Sequence, residues 1–248
     1  MKKIIFTIGI FKVLFVVSLE SITFREIFSF SNYSYSNRPQ SVIYENSFIA
    51  QINRDYALIL RLTIDDRQFW KNNIYTFGGV LNLSRNSYIE IYYGIGIDSN
   101  NDKTNYYNLD FIYEKRNLLM GIGNKFSDYG NYKSNLISPY LQYYLISNTR
   151  FWIKHFSSVD SEKNYDYANW IEVEQYISNF SFKLGVTNGD RIYDFDYGII
   201  QDNYMYSWLL GLSYKFKEKF WLKYIFEYFV RENSYNGIKN VFIVDFRL

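Results

Sequence analysis

From Tyr56 onward, apolar and polar residues alternate with a period of two. Tyr56, Leu58, Leu60, Leu62 and Ile64 fall on one face, and Ala57, Ile59, Arg61, Thr63 and Asp65 on the other. The rhythm returns at Tyr75, Phe77, Leu81 and Leu83 against Thr76, Gly78 and Asn82. It returns again at Ile89, Ile91, Tyr93, Ile95 and Ile97 against Glu90, Gly94 and Gly96. Phe180, Phe182, Leu184 and Val186 oppose Ser181, Lys183, Gly185 and Thr187. Tyr204, Tyr206, Trp208, Leu210, Leu212 and Tyr214 oppose Ser207, Gly211 and Ser213. Such a period describes strands. They are predicted near 26–36, 42–52, 55–65, 73–83, 87–97, 104–114, 118–126, 135–146, 149–157, 166–177, 180–188, 203–214, 219–230 and 238–248. That is about 14 strands, with 12 as the alternative count.

One face of each strand is uniformly large and apolar, while the other holds Gly, Ser, Thr and charges. So many Tyr, Phe and Trp side chains would overfill a single interior, but facing lipid they have room. Tight turns at Asn53-Arg54, Ser84-Arg85-Asn86, Glu114 to Asn117, Ser147-Asn148, Ser178-Asn179 and Lys215 to Glu218 alternate with longer polar stretches. The longer ones are Asp66 to Asn72, Asp98 to Lys103, Ser127 to Ser134, Ser158 to Tyr165, Asn188 to Asn203 and Arg231 to Gly237. Short turns on one side and longer loops on the other are the habit of outer-membrane barrels. The expected fold is therefore all-β: a closed antiparallel transmembrane β-barrel with meander topology and both termini periplasmic.

Composition sharpens this. Aromatic residues make up 22% of the 248, and Pro occurs only twice, as suits strands that must donate every ladder hydrogen bond. The mean hydropathy of −0.25 and the lack of any run of 18 apolar residues exclude membrane-spanning helices. A net charge of +2 supplies no reason for a nucleic-acid partner, and zero Cys excludes disulfides and thiolate metal sites. Lys2 and Lys3, the apolar stretch Ile4 to Val17 and the small residues Ser18 and Ser21 describe a secretory signal peptide over 1–21, leaving 22–248 as the barrel. Tyr and Trp near strand ends (Tyr35, Tyr56, Tyr75, Tyr88, Tyr113, Trp170, Tyr176, Tyr214, Trp221, Tyr228) read as interfacial girdles rather than as a carbohydrate-stacking platform.

The final strand places Ile238, Asn240, Phe242, Val244, Phe246 and Leu248 on one face. It resembles the C-terminal segment recognised by the outer-membrane assembly machinery, with Leu248 where an aromatic residue is usual. The chain also resembles the YaiO-type outer-membrane β-barrel family. That resemblance rests on Tyr33 and Tyr35, on Tyr88-Ile89-Glu90 running to Gly94, on Ser138-Pro139-Tyr140-Leu141-Gln142-Tyr143, and on Thr187-Asn188-Gly189-Asp190-Arg191. It implies a single-domain barrel at the cell surface with no established reaction. The expected partners of a barrel so placed are outer-membrane lipid and lipopolysaccharide.

Three groups of residues carry candidate chemistry. The inward face is expected to hold Arg61, Glu90, Asp110, Lys125, Lys154, Glu172, Glu174, Lys183, Lys223, Glu227, Asp245 and Arg247. Rings of charge set ion selectivity in a pore. Here the signs nearly balance and Ile225 and Phe229 share the face, which favours pairs that brace the lumen. The single histidine, His155, precedes Ser157 by two residues, so both side chains point the same way on a strand and the imidazole is placed to serve the hydroxyl as base. The pattern resembles that of lipid A deacylases and outer-membrane phospholipases, in which Asn follows the Ser; here Ser158 does. The sequence identifies no supporting acid or amide beyond Glu172 or Glu174 on the next strand. The acidic run Asp190, Asp194, Asp196 and Asp202 lacks the 12-residue spacing of a Ca²⁺ loop and reads as a solvated loop around Arg191. No cofactor or metal is implied. The leading expectation is a non-enzymatic outer-membrane barrel, a channel or a structural or surface protein. The alternative is a lipid hydrolase using His155 and Ser157, and a soluble lipocalin-like barrel is disfavoured by strand number.

Overall fold

In the described residues the alternation becomes fourteen strands: β1 (Thr23–Tyr35), β2 (Ser41–Gln51), β3 (Tyr56–Arg67), β4 (Trp70–Asn82), β5 (Ser87–Asp98), β6 (Lys103–Lys115), β7 (Leu118–Asp128), β8 (Lys133–Tyr144), β9 (Thr149–Asp160), β10 (Tyr165–Ile177), β11 (Phe180–Gly189), β12 (Met205–Phe216), β13 (Phe220–Arg231) and β14 (Tyr235–Arg247). This computed structural model describes residues 22–36, 40–53, 55–67, 70–100, 102–130, 132–145, 148–189, 205–216, 219–231 and 235–247. The expected signal peptide and the acidic run from Asp190 to Asp202 lie outside them. Every strand pairs antiparallel with its neighbour in sequence, and β1 pairs with β14 from Arg25↔Arg247 to Tyr35↔Gly237. The sheet is thus a closed fourteen-stranded meander, and the count of 12 does not hold.

Closure turns the usual arrangement of a folded chain inside out. Leu58 and Leu60 are 51% and 48% exposed, whereas Ala57 and Ile59 between them are 6% exposed. Phe77, Leu184 and Trp208 likewise stand on the outer surface, while Ser47, Thr63, Asp65, Thr76, Glu172, Ser181 and Asp245 are buried in the lumen. The buried core is mostly polar. Two small apolar clusters interrupt it: Tyr33, Ile43 and Phe229, and Leu136, Phe156 and Ala168. Parity along each strand also corrects the girdle. Tyr56, Tyr75 and Tyr228 are exposed on the outside. Tyr35 packs on the lumen cluster, and Tyr176 and Trp221 line a lumen cavity.

Tight packing inside relies on glycine opposite tyrosine. Gly94 pairs with Tyr106 and Gly121 with Tyr140, and a Cβ at either glycine would meet the partner ring at 2.0 and 2.2 Å. Arg116 and Ser178 open two-residue hairpins at φ 55°, the positive first position of a primed turn. At the opposite end the strands outrun the expected boundaries. β3 and β4 continue to Arg67 and Trp70, with Asp66↔Lys71 and Asp65↔Asn72 in register, and β9 continues through Ser158 to Asp160. Cross-strand polar pairs sustain the ladder there, so segments that read as loops are strand.

The seam between the first and last strands is clasped in the lumen. Arg25 donates from Nε and Nη2 to the two carboxylate oxygens of Asp245 at 2.8 and 2.5 Å. Asp245→Ala strands Arg25 and is expected to cost about 2–3 kcal/mol, below the usual range for a buried pair because Arg25 keeps contact with the lumen. Leu210→Arg at the middle of the outer face of β12 should cost about 2–4 kcal/mol in a bilayer, against about 0–1 for Phe216→Arg near the strand end. Urea titration in lipid vesicles measures both, and equal costs for Leu210 and Phe216 would place the apolar band elsewhere.

Candidate functional site

Polar side chains on the outer surface come in hydrogen-bonded sets. Asn46 donates to Glu26 (3.1 Å), Tyr93 to Asn105 (3.0 Å), Asn124 to Asn135 (2.8 Å) and Tyr224 to Asn240 (2.7 Å). Pairing is what polar groups beside hydrocarbon require. One set differs in kind because it holds the histidine with a hydroxyl beside it. His155 lies on β9 directly opposite Asn169 on β10, and its Nδ1 is 2.8 Å from Asn169 Oδ1. Asn169 Nδ2 in turn donates to Asn188 Oδ1 on β11 at 3.4 Å.

That second bond orients the Asn169 amide, turning its oxygen toward the ring. A carbonyl oxygen can only accept, so Nδ1 is the donor in this contact, and in the neutral ring the lone pair then lies on Nε2. Ser157, two residues on, shares the outer face and is exposed. No side-chain hydrogen bond holds its hydroxyl among the described residues. Ser158 has the opposite parity and is buried on the lumen side, so the two adjacent serines are not equivalent.

The backbone around His155 is also unusual. The β8–β9 ladder is continuous to Ile137↔Ser157, resumes at Tyr140↔Lys154, and is broken between them where Pro139 faces His155. Proline has no N–H to give, which is why it is rare inside sheets. Above Ser157, the tip of β9 is fixed by Asp160. Its carboxylate accepts from the backbone N–H of Glu162 and Asn164 at 2.9 Å each and from Tyr132 Oη at 3.0 Å. The result is base, orienter and nucleophile candidates on two adjacent strands, held by register rather than by a loop.

Glu172 and Glu174 do not reach His155. Both lie on the lumen side of β10, where Arg150 bonds Glu172 at 2.7 Å and Glu174 at 2.6 Å and Lys183 meets Glu172 at 3.1 Å. The even residues of β10 point inward and the odd ones outward, so any partner of His155 on β10 had to be an odd residue, and the one directly opposite is Asn169. Asn169 was missed because it lies twelve positions after Ser157, a distance that becomes contact only once the hairpin register is known.

The charged residues fall into two lumen cavities. Arg61, Glu90, Asp110, Lys125 and Lys154 line one of about 240 Å³, with Arg61 3.6 Å from Glu45. Glu174, Lys183, Lys223, Asp245 and Arg247 line the other, of about 460 Å³, near the chain termini. Glu227 accepts from Ser207 at 2.6 Å. Arg25, Glu45 and Arg150 complete these networks and were not anticipated. Among the described residues no cluster of His, Asp and Glu has the geometry to hold a metal ion.

No family profile matches the chain, and no characterised protein matches it by sequence. Solved structures match it by shape. A structure described as the CymD monoaromatic hydrocarbon channel has TM-score 0.61 and 8% identity, covering 92% of this chain and 88% of its own. One described as a bacterial polysaccharide outer membrane secretin has TM-score 0.61 and 10% identity, covering 92% and 98%. OpdQ of Pseudomonas aeruginosa has TM-score 0.52 and 8% identity, again covering 92% and 98%. At these identities the likeness is one of architecture: the chain has the fold of the outer-membrane β-barrels.

Proposed function

We propose that this chain is an integral outer-membrane protein, with its termini in the periplasm, that hydrolyses acyl esters of membrane lipids at its outward surface. The observation that carries this is the 2.8 Å contact of His155 Nδ1 with Asn169 Oδ1, with Ser157 on the same face. Sequence alone favoured a barrel without chemistry, because no third group was identified. Asn169 supplies it. Kinship with the YaiO-type barrels remains part of the proposal, as do contacts with lipopolysaccharide and with the assembly machinery through β14.

The chemistry follows from the tautomer. Ser157 Oγ attacks the ester carbonyl while His155 Nε2 takes its proton, and Asn169 holds the ring and its Nδ1 proton in place. The imidazolium then protonates the departing alcohol, and water activated by the same nitrogen releases the fatty acid. Apo geometry need not show the serine–histidine bond already formed. Depth is consistent with an ester substrate. Ser157 is three residues short of the end of β9, and three residues of a tilted strand descend about 7–8 Å. That depth suits the ester layer beneath the headgroups.

A second reading, a narrow channel, is favoured by the two polar cavities inside the barrel. The ion pairs that cross the lumen favour bracing instead. Planar-bilayer recording separates the two: stepwise conductance altered by Lys223→Glu would establish a channel, and a flat trace would remove it.

For the hydrolase, Ser157→Ala and His155→Ala should each lose about 1,000-fold or more in lipid hydrolysis, with Ser158→Ala unchanged. Asn169→Ala should lose about 100-fold in kcat with little change in KM, and Asn169→Asp should restore much of it. Release of fatty acid from mixed micelles of phospholipid or lipid A measures these. A fluorophosphonate probe should label wild type but not Ser157→Ala; labelling that is equal in both would end the hydrolase reading.

A further inference from the structure

The cavity near the chain termini collects more positive than negative charge than its bracing role needs. Arg25, Arg150, Lys183, Lys223 and Arg247 border or cross it, against Glu172, Glu174 and Asp245. Among the described residues, five cations meet three carboxylates, an excess of two. Lys215, from β12, adds a further ammonium over the Trp221 ring at 5.2 Å. The carboxylates are shared unevenly. Glu172 and Glu174 are engaged by Arg150 and Lys183, and Asp245 is bound closely by Arg25, leaving Lys223 3.9 Å away.

Two buried donors on residues lining the same cavity, Arg150 Nε and Trp221 Nε1, have no hydrogen-bond partner, and neither has the buried acceptor Glu172 Oε2 behind Arg150. A buried donor without an acceptor is costly, and the cost is relieved by an acceptor brought from outside. Ser181 and Ser213, bonded to each other through their hydroxyls, add polar wall. A confined space with surplus positive charge and spare N–H groups favours a compact anion with several acceptor oxygens.

We infer that this end of the lumen is a binding site for a small multivalent oxyanion of the phosphate class, held by Lys183, Lys223 and Arg247. The site is reached from the end of the barrel where the termini lie. It is separate from Ser157, which faces the outside of the wall, so it stands whether or not the hydrolase reading does. The anion's role is to neutralise charge that the three carboxylates leave uncompensated. Barrel stability should then depend on which anion is present and not only on ionic strength.

The test uses the full barrel in detergent micelles. Inorganic phosphate should raise the unfolding temperature saturably, by roughly 3–5 °C at ten times its Kd, beyond sodium chloride at equal ionic strength. The double variant Lys183→Gln, Lys223→Gln keeps Arg150 and Arg25 on their carboxylates and should lose that difference. Equal shifts from phosphate and chloride, or an undiminished phosphate effect in the double variant, would overturn the site. Should the variant not fold, equilibrium dialysis of radiolabelled phosphate against wild type decides. About one phosphate per chain upholds the proposal, and none at millimolar concentration refutes it.

Discussion

A backbone beside hydrocarbon has no water to bond with, so each N–H and C=O along a spanning strand needs a partner in the chain itself. The fourteen strands meet this requirement by closing, with β14 returning to β1 over eleven register pairs. Most other features follow from closure. A closed sheet has an inside and an outside, and a period of two sends alternate residues to each. The large apolar side chains are then free to face outward, and the lumen inherits the small and charged ones. The break in the β8–β9 ladder at Pro139 is a local departure from this rule, and it falls opposite the chain's one histidine.

The lumen and the outer wall solve opposite problems. Inside, carboxylates such as Glu172 and Asp245 are almost fully buried, and each is held by cations from other strands. Breaking one partner leaves a charge stranded, so the network couples strands that are distant in sequence. Outside, polarity is rationed to short hydrogen-bonded sets. Most consist of two side chains that satisfy each other. The set of His155, Asn169 and Asn188 extends over three strands and stands beside an exposed serine hydroxyl. A pairing that satisfies polar groups thereby also orients the imidazole ring beside that hydroxyl.

Much of the fold was legible in the sequence because its signal is local. Alternation in stretches such as Tyr56 to Asp65 gave strand identity and the direction of each face, and short Asn-containing turns gave the connections. Boundaries were harder where polar residues pair across strands. Asp65, Asp66 and Asn72 look like loop residues until their partners are known. The site was half legible. His155 and Ser157 lie two residues apart and declare a shared face, but Asn169 depends on hairpin register, which no single strand encodes. Assigning Trp170, Tyr176 and Trp221 to a lipid-facing girdle overlooked a parity already present in their strands, since Glu172, Glu174 and Lys223 alternate in step with them.

The seam joining β1 and β14 has a consequence for biogenesis. Residues near the C-terminus have their register specified twice, once by β13 and once by β1. A slip of one position at either edge would exchange Asp245 with Phe246, setting a carboxylate in oil and a phenyl ring among the lumen charges. The bidentate grip of Arg25 is available only when both edges agree. The clasp is therefore satisfied only in the observed register, where the first strand and the last agree.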